Sequence, residues 1–389
     1  MLDALTRRLF LPAKAGIKVV RPHGSGGRRP SVSVVIPCYN YGRYLPQCSA
    51  SALGQEGVDV DVLIIDDASP DGSGKVARKL AAGDARVRAI CHPENRGHIA
   101  TYNEGLAQVT GDYVVLLSAD DLLVPGCLAR AASLMEQYPS VGLTYGFPVD
   151  FTDSHLPAPR TTARNWIIWP GHSWLTHRCK LGQNIIRSPE VVLRTSVLRE
   201  IGGYRADLPH AADFELWMRT ATVADIGYVA GADQAYYRNH ASNMHHSTFD
   251  MVDDFAQRLA SFDAVFAECS GRLEDPAALQ DMAHRALARR ALNQAMRDAA
   301  HRALARSAVS RKVRESSQGA VGGEAASDYT AFALKAWPGA RSLPEWRALG
   351  RLADTGEGAA RLRPALMARM AIRKLGTRAR LGSKRMAGV

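Results

Sequence analysis

The chain has 389 residues, 46% of them hydrophobic and 22% charged, with a formal net charge of +11. That length and apolar content support a substantial core and exclude disorder throughout, and no apolar run approaches the roughly 20 residues of a membrane-spanning helix. The positive excess suits nucleic acid, anionic lipid or phosphorylated ligands alike, so its distribution matters more than its sum: nine Lys and Arg with no Asp or Glu lie from Arg361 onward, whereas residues 59–72 are acidic.

In chain order, "MLDALTRRLFLPAKAGIKVV" is basic and apolar but has neither a continuous signal-peptide core nor a small-residue cleavage site. With the linker "RPHGSGGRRP" it makes residues 1–30 a basic arm. The β-branched runs "SVSVVIP" and "DVDVLIIDDAS" then predict two strands around a helical segment. The runs "VRAIC", "DYVVLLSA" and "VGLTYGF" alternate with the helical stretches "GHIATYNEGLAQV" and "PGCLARAASLMEQY". That alternation predicts an α/β domain over residues 31–248 with a mostly parallel central sheet and covering helices.

From about residue 250 the composition turns to Ala, Arg and Leu, so residues 249–389 are expected to be mainly helical, with a basic tail. The hexamer "HRALAR" occurs at 284 and 301, which reflects composition bias rather than a repeat fold, and "RESSQGAVGGEAASD" reads as a loop. Six cysteines, at 38, 48, 91, 127, 179 and 269, form no C-x-x-C pair and read as reduced thiols, which favours a cytoplasmic chain.

Open α/β sheets bind ligands beyond the carboxyl ends of their strands. Here one strand runs into Cys38, Tyr39 and Asn40, a second into Asp67 and Ser69, and a third into Asp120 and Asp121. Adjacent carboxylates repel, so the last pair implies either a bound cation or a solvated acidic turn. The segment "DGSGKVARK" is no phosphate loop, because Ser69 stands where its first glycine is needed and Val76 follows the lysine. No G-x-G-x-x-G follows a strand either.

Six ordered blocks carry a resemblance: "VSVVIPCYNYGRYLPQCSASALGQ", "VLIIDDASPDGS", "NRGHIATYNEGL", "LLSADDLLVPGCL", "HAADFELWMR" and "YYRNHASNMHHS", over roughly residues 31–247. Together they resemble family 2 glycosyltransferases of the GT-A fold. The resemblance implies that Pro37, Tyr39 and Asn40 lie against a nucleotide base, and that Asp67 accepts a hydrogen bond from it while Asp66 is structural. Asn95 and Arg96 would face the nucleotide sugar or diphosphate. Ser69 and Asp71 read as caps of the next helix. Asn103 reads as a loop tie, and His98 receives no role.

In the same way "SADD" matches the D-x-D region that binds a divalent cation, Mn2+ or Mg2+, with Ser118 where many relatives carry Asp. The burden falls on Asp120 and especially Asp121, and His240 corresponds to a histidine that approaches the metal or diphosphate. "AADFELWMR" matches the family's acid motif with Ala212 replacing Glu, which leaves Asp213 as general base and Glu215 in support. Trp217 and Arg219 read as packing and surface contacts. The last block suits a lid over the donor.

The implied activity is inverting transfer of one sugar from a nucleotide-diphosphate donor, a UDP-sugar first, to a hydroxyl of a glycan, lipid-linked or other acceptor, as in polysaccharide assembly. The Q-x-x-R-W element of processive synthases is absent. Two rivals are a sugar-nucleotide nucleotidyltransferase, whose Gly- and Arg-rich loop "PCYNYGRYL" matches poorly, and a non-catalytic binding scaffold suggested by Ser118 and Ala212. The basic tail suggests an anionic membrane surface, and no base-reading module for nucleic acid is present.

Overall fold

A computed structural model describes residues 16–23, 29–153, 155–241, 243, 250–309 and 324–353. They divide into two compact units, one built from residues up to 175 with 184–243, the other from 176–183 with 250–353.

The first unit is built on one sheet of ten strands among the described residues. Its parallel part is β2 (Ser31–Cys38), β3 (Asp59–Asp66), β4 (Val87–Cys91) and β5 (Tyr113–Leu116), in the order β5-β2-β3-β4. The connections are α1 (Leu45–Leu53), α2 (Ser73–Gly83) and α3 (His98–Ala107). β2 and β3 are central and covered on both faces, which is why both read as near-continuous β-branched runs rather than alternating ones. Register sets Cys38, Asp66 and Cys91 level at the carboxyl edge.

Beyond β5 the sheet becomes mixed. The short β6 (Leu122–Leu123) and α4 (Cys127–Gln137) lead to β7 (Val141–Phe151). Then follow β8 (Asn165–Trp169), α5 (Gly171–Leu181), β9 (Val192–Arg194), α6 (Thr195–Ile201), α7 (Ala212–Thr220) and β10 (Asp225–Arg238). β9 sits antiparallel between β5 and β7, and the long β10 runs parallel to β7 but antiparallel to β8 and β6. β10 thereby reaches the acidic turn: its Tyr236 and Ala235 pair with Leu122 and Leu123.

One sequence expectation needs correction here. Lys18–Val20, read as part of a basic arm, forms β1, an edge strand antiparallel to β8. A three-residue run is too short to show periodicity, and β8 supplies the ladder that orders it.

The second unit is helical, with α8 (Met251–Cys269), α9 (Pro276–Val309), α10 (Glu324–Ala336) and α11 (Pro344–Ala353). Asp250 starts α8 by accepting from the backbone N–H groups of Val252 and Asp253. Ala283, Leu287, Ala288, Ala291, Leu292 and Ala295 form the buried stripe of α9, the helix against which α8, α10 and α11 pack. Both "HRALAR" hexamers lie within this single helix. No described helix is long and apolar enough to cross a membrane. The basic tail from Arg361, the N-terminal residues before 16, and residues 314–323 of the expected loop lie outside the described residues, while the end of that loop, 324–328, begins α10 instead.

Candidate active site

The carboxyl ends of β2 and β3 build the first corner. Pro37 does not end its strand; it pairs in register with Ile65, past the last pair of β2 with β5, and Cys38 is the final strand residue. Tyr39 is 48% exposed, and Asn40 turns the chain at a φ of 61°. Its N–H donates to Ser69 Oγ at 3.0 Å. Ser69 thus ties two loops rather than capping a helix. Asp71 does both jobs: Oδ1 accepts from the Ser73 N–H at the start of α2, and Oδ2 from the Gly42 N–H.

The two carboxylates at the end of β3 differ in their commitments. Asp67 accepts from His92 Nδ1 at 2.7 Å, from the Arg96 N–H at 2.8 Å and from the Gly97 N–H at 3.0 Å. Burial acts to raise its carboxyl, but these donors outweigh it and hold Asp67 below the usual carboxylate range. Gly97 has a φ of +82°, which a side chain would resist, and this conformation places its N–H on Asp67. Gly97 thus has a structural use in this loop. Asn95 Nδ2 donates to the Asp67 carbonyl, while the Arg96 side chain turns to Glu104. Asp66 instead keeps a buried carboxylate oxygen, Oδ1, with no hydrogen-bond partner.

The acidic turn follows β5. The Asp121 N–H donates to the Ser118 carbonyl at 3.0 Å, closing the turn and burying both carboxylates. Asp121 Oδ1 accepts from the Arg238 backbone N–H at 2.9 Å. Asp120 Oδ2 pairs with His240 Nε2 at 3.0 Å, and Asp120 Oδ1 is buried without a partner. Burial first, and the Asp120 charge second, push the Asp121 carboxyl well above its ordinary value. The His240 ring stacks on Tyr44 and meets Tyr41 edge-on. Tyr41 is itself raised to about 12 by burial and by Asp120.

Among the described residues no three His, Cys, Asp or Glu side chains are gathered as a metal-ligating set. The chemistry of the turn nonetheless suits a cation. Asp120 presents an unsatisfied buried oxygen next to a second buried carboxylate, with an imidazole alongside, and hard oxygen donors of this kind match Mg2+ or Mn2+. A buried carboxylate oxygen with no donor is a cost that a bound cation removes.

The third corner lies at α7. Asp213 stands half-buried in its first turn, accepting from the Phe214 N–H at 2.6 Å and from Asn184 Nδ2 at 3.2 Å. Glu215 must be corrected. It is fully buried, with both oxygens held at 2.8 Å by Arg219 one helical turn on, so it cannot serve an acceptor. Arg219 is correspondingly no surface residue; it also donates to the carbonyls of Ile201 and Gly203. Asn103 exchanges two hydrogen bonds with the Tyr204 backbone, and a Cβ at Gly203 would fall 2.2 Å from Asn103 Oδ1. The Tyr102 phenol is raised by burial and then by the Asp120 and Asp213 charges.

Sequence reasoning passed over Arg238, Tyr41, Tyr102, Asn184 and His92. For Arg238 a signal existed in its place two residues before His240. The others are set by contacts distant in sequence.

This sheet, with a buried carboxylate pair in the turn after β5, defines the GT-A fold of nucleotide-sugar transferases. Residues 33–202 match the family model Glycosyl transferase family 2. It is 29% identical over 139 residues to the "Uncharacterized glycosyltransferase EpsJ" of Bacillus subtilis (strain 168), covering 36% of this chain and 40% of that protein. With "Glycosyltransferase GlyG" of Streptococcus pneumoniae serotype 4 (strain ATCC BAA-334 / TIGR4) it shares 36% identity over 93 residues, 24% and 31% of the two chains. The chain therefore spans less than half the length of these curated relatives. A solved structure, S. aureus TarS 1–349 in complex with UDP-GlcNAc, superposes with a TM-score of 0.54 over 91% of this chain and 89% of that one, at 18% identity.

Proposed function

We propose that the protein is an inverting glycosyltransferase that moves one sugar from a nucleotide-diphosphate donor to an acceptor hydroxyl, using the rim formed by β2, β3, the acidic turn and α7. The observation that carries this reading is the buried, unpartnered oxygen of Asp120 beside Asp121 and His240, in a family 2 domain. A UDP-sugar is the first donor to test, a choice supported by the TarS complex with UDP-GlcNAc.

In this reading the loop Tyr39–Asn40 and the corner at Asp66 and Asp67 receive the base. Asp67 acts through the loop it holds, since its own oxygens already accept from His92, Arg96 and Gly97. Asn95 and Arg96 border the sugar diphosphate. Asp120, Asp121 and His240 would hold a divalent cation, which when bound neutralises charge developing on the leaving diphosphate. The Asp213 carboxylate takes the proton of the acceptor hydroxyl as that oxygen bonds to the anomeric carbon and the bond to the diphosphate oxygen breaks on the opposite face. Asn184 orients the carboxylate through Oδ2.

The test incubates the protein with UDP- and GDP-sugars, Mn2+ and candidate acceptors, and assays nucleoside diphosphate and pyrophosphate. Release of nucleoside diphosphate alone is expected. Pyrophosphate released in a parallel incubation with UTP or GTP and sugar 1-phosphates would instead indicate nucleotidyl transfer, and binding without turnover across the panel would indicate a scaffold.

A further inference from the structure

Arg238 is the last residue of β10 and is 3% exposed. Neither an ion pair alone nor packing alone accounts for its bonding. Through its main chain it donates to Asp121 Oδ1 at 2.9 Å and accepts from Asn243 Nδ2 at 3.0 Å. Through its side chain it donates from Nε to the Asp120 carbonyl at 2.6 Å, from Nη2 to Gln47 Oε1 at 2.8 Å, and from Nη1 to Asp153. The guanidinium lies 4.3 Å from the Tyr44 ring centroid and 4.4 Å from that of Phe151, so its plane is clamped as well as bonded.

The residues beyond it are folded back by the same set. Asn243, 4% exposed, accepts the His240 N–H on Oδ1 at 2.6 Å while Nδ2 holds the Arg238 carbonyl. Asn243 is thereby tied to both Arg238 and His240, and His240 Nε2 is set on Asp120 Oδ2. One residue thus touches the backbone of the first carboxylate, the side chain of the second, and the turn that carries the imidazole.

We infer that Arg238 is the positioning residue of the acidic turn, holding Asp120, Asp121 and His240 in a single cation-ready arrangement. The inference rests on the glycosyltransferase reading above. Arginine suits the place because its planar fork reaches Gln47, Asp153 and the Asp120 carbonyl at once, which a lysine ammonium cannot do in that geometry. Residues behind a metal's ligands typically change its affinity about 10- to 100-fold when replaced.

The test uses the full chain with UDP and titrates Mn2+, reading free Mn2+ by electron paramagnetic resonance, in the wild type, Arg238→Met, Arg238→Lys and Asp153→Asn. Arg238→Met is expected to raise the half-saturating Mn2+ concentration by about 10- to 100-fold. UDP affinity measured without Mn2+ should stay near wild type, a split that general destabilisation would not produce. Arg238→Lys should shift the same way, and Asp153→Asn, whose carboxylate side chain is 63% exposed, should bind Mn2+ as the wild type does. If the Met variant does not fold, the Lys variant decides. A folded Arg238 variant with wild-type Mn2+ affinity overturns the inference alone. A wild type that binds no Mn2+ with UDP present overturns the functional reading and this inference together.

Discussion

Asp213 and Glu215 lie two positions apart on one helix, yet their surroundings assign them different work. Asp213 is half-buried and accepts from the Phe214 N–H and from Asn184 Nδ2, whereas Glu215 has no exposure and is saturated by Arg219. Asp213→Asn keeps the shape and removes the base, so turnover should fall by roughly 10²- to 10⁴-fold while UDP binding persists; steady-state rates and calorimetry check this. Glu215→Leu should act on stability instead. It strands Arg219 as an unpaired buried charge, a loss of about 3–5 kcal/mol read by chemical denaturation. Turnover per folded molecule should remain of wild-type order, and a loss matching that of Asp213→Asn would return Glu215 to the chemistry.

At the scale of elements, the loop 92–97 is held by one carboxylate. Asp67 is depressed below its ordinary value, so it contributes stability that is present in full above the unfolded value of about 3.9 and is lost as pH falls through the lower folded value. Asp67→Asn should therefore lower Tm at neutral pH, with a gap to wild type that narrows only in strong acid; melting curves over a pH series check the sign. A gap that widened in acid would contradict it. The parallel strands were legible because β2 and β3 are buried on both faces and spell that burial in Val and Ile. β10 was not, since "DIGYVAGADQAYYR" mixes glycines and acids and is irregular where it pairs with β7. Asp120, Asp121 and His240 could be placed from the ordered blocks. The commitment of Asp67 to its own loop could not, because its donors stand 25 to 30 residues away. For Arg238 the sequence offered only its place two residues before His240, and its bonds to the turn came into view with β10.

For the whole molecule, the charge is carried unevenly, and we propose that the basic segment from Arg361 meets an anionic bilayer. Each Lys or Arg near such a surface contributes about 1 kcal/mol, so removing residues 361–389 should release the protein from vesicles containing phosphatidylserine in a salt-sensitive way. Equal sedimentation with neutral and anionic vesicles would remove the proposal. The proposed reaction is a displacement in which the Asp213 carboxylate takes the acceptor proton and the anomeric carbon inverts. Nuclear magnetic resonance of the product formed from an α-linked UDP-sugar tests this most directly. A β-linked product, formed with one UDP per sugar transferred and lost in Asp213→Asn, is predicted; an α-linked product, or undiminished turnover in that variant, would contradict it.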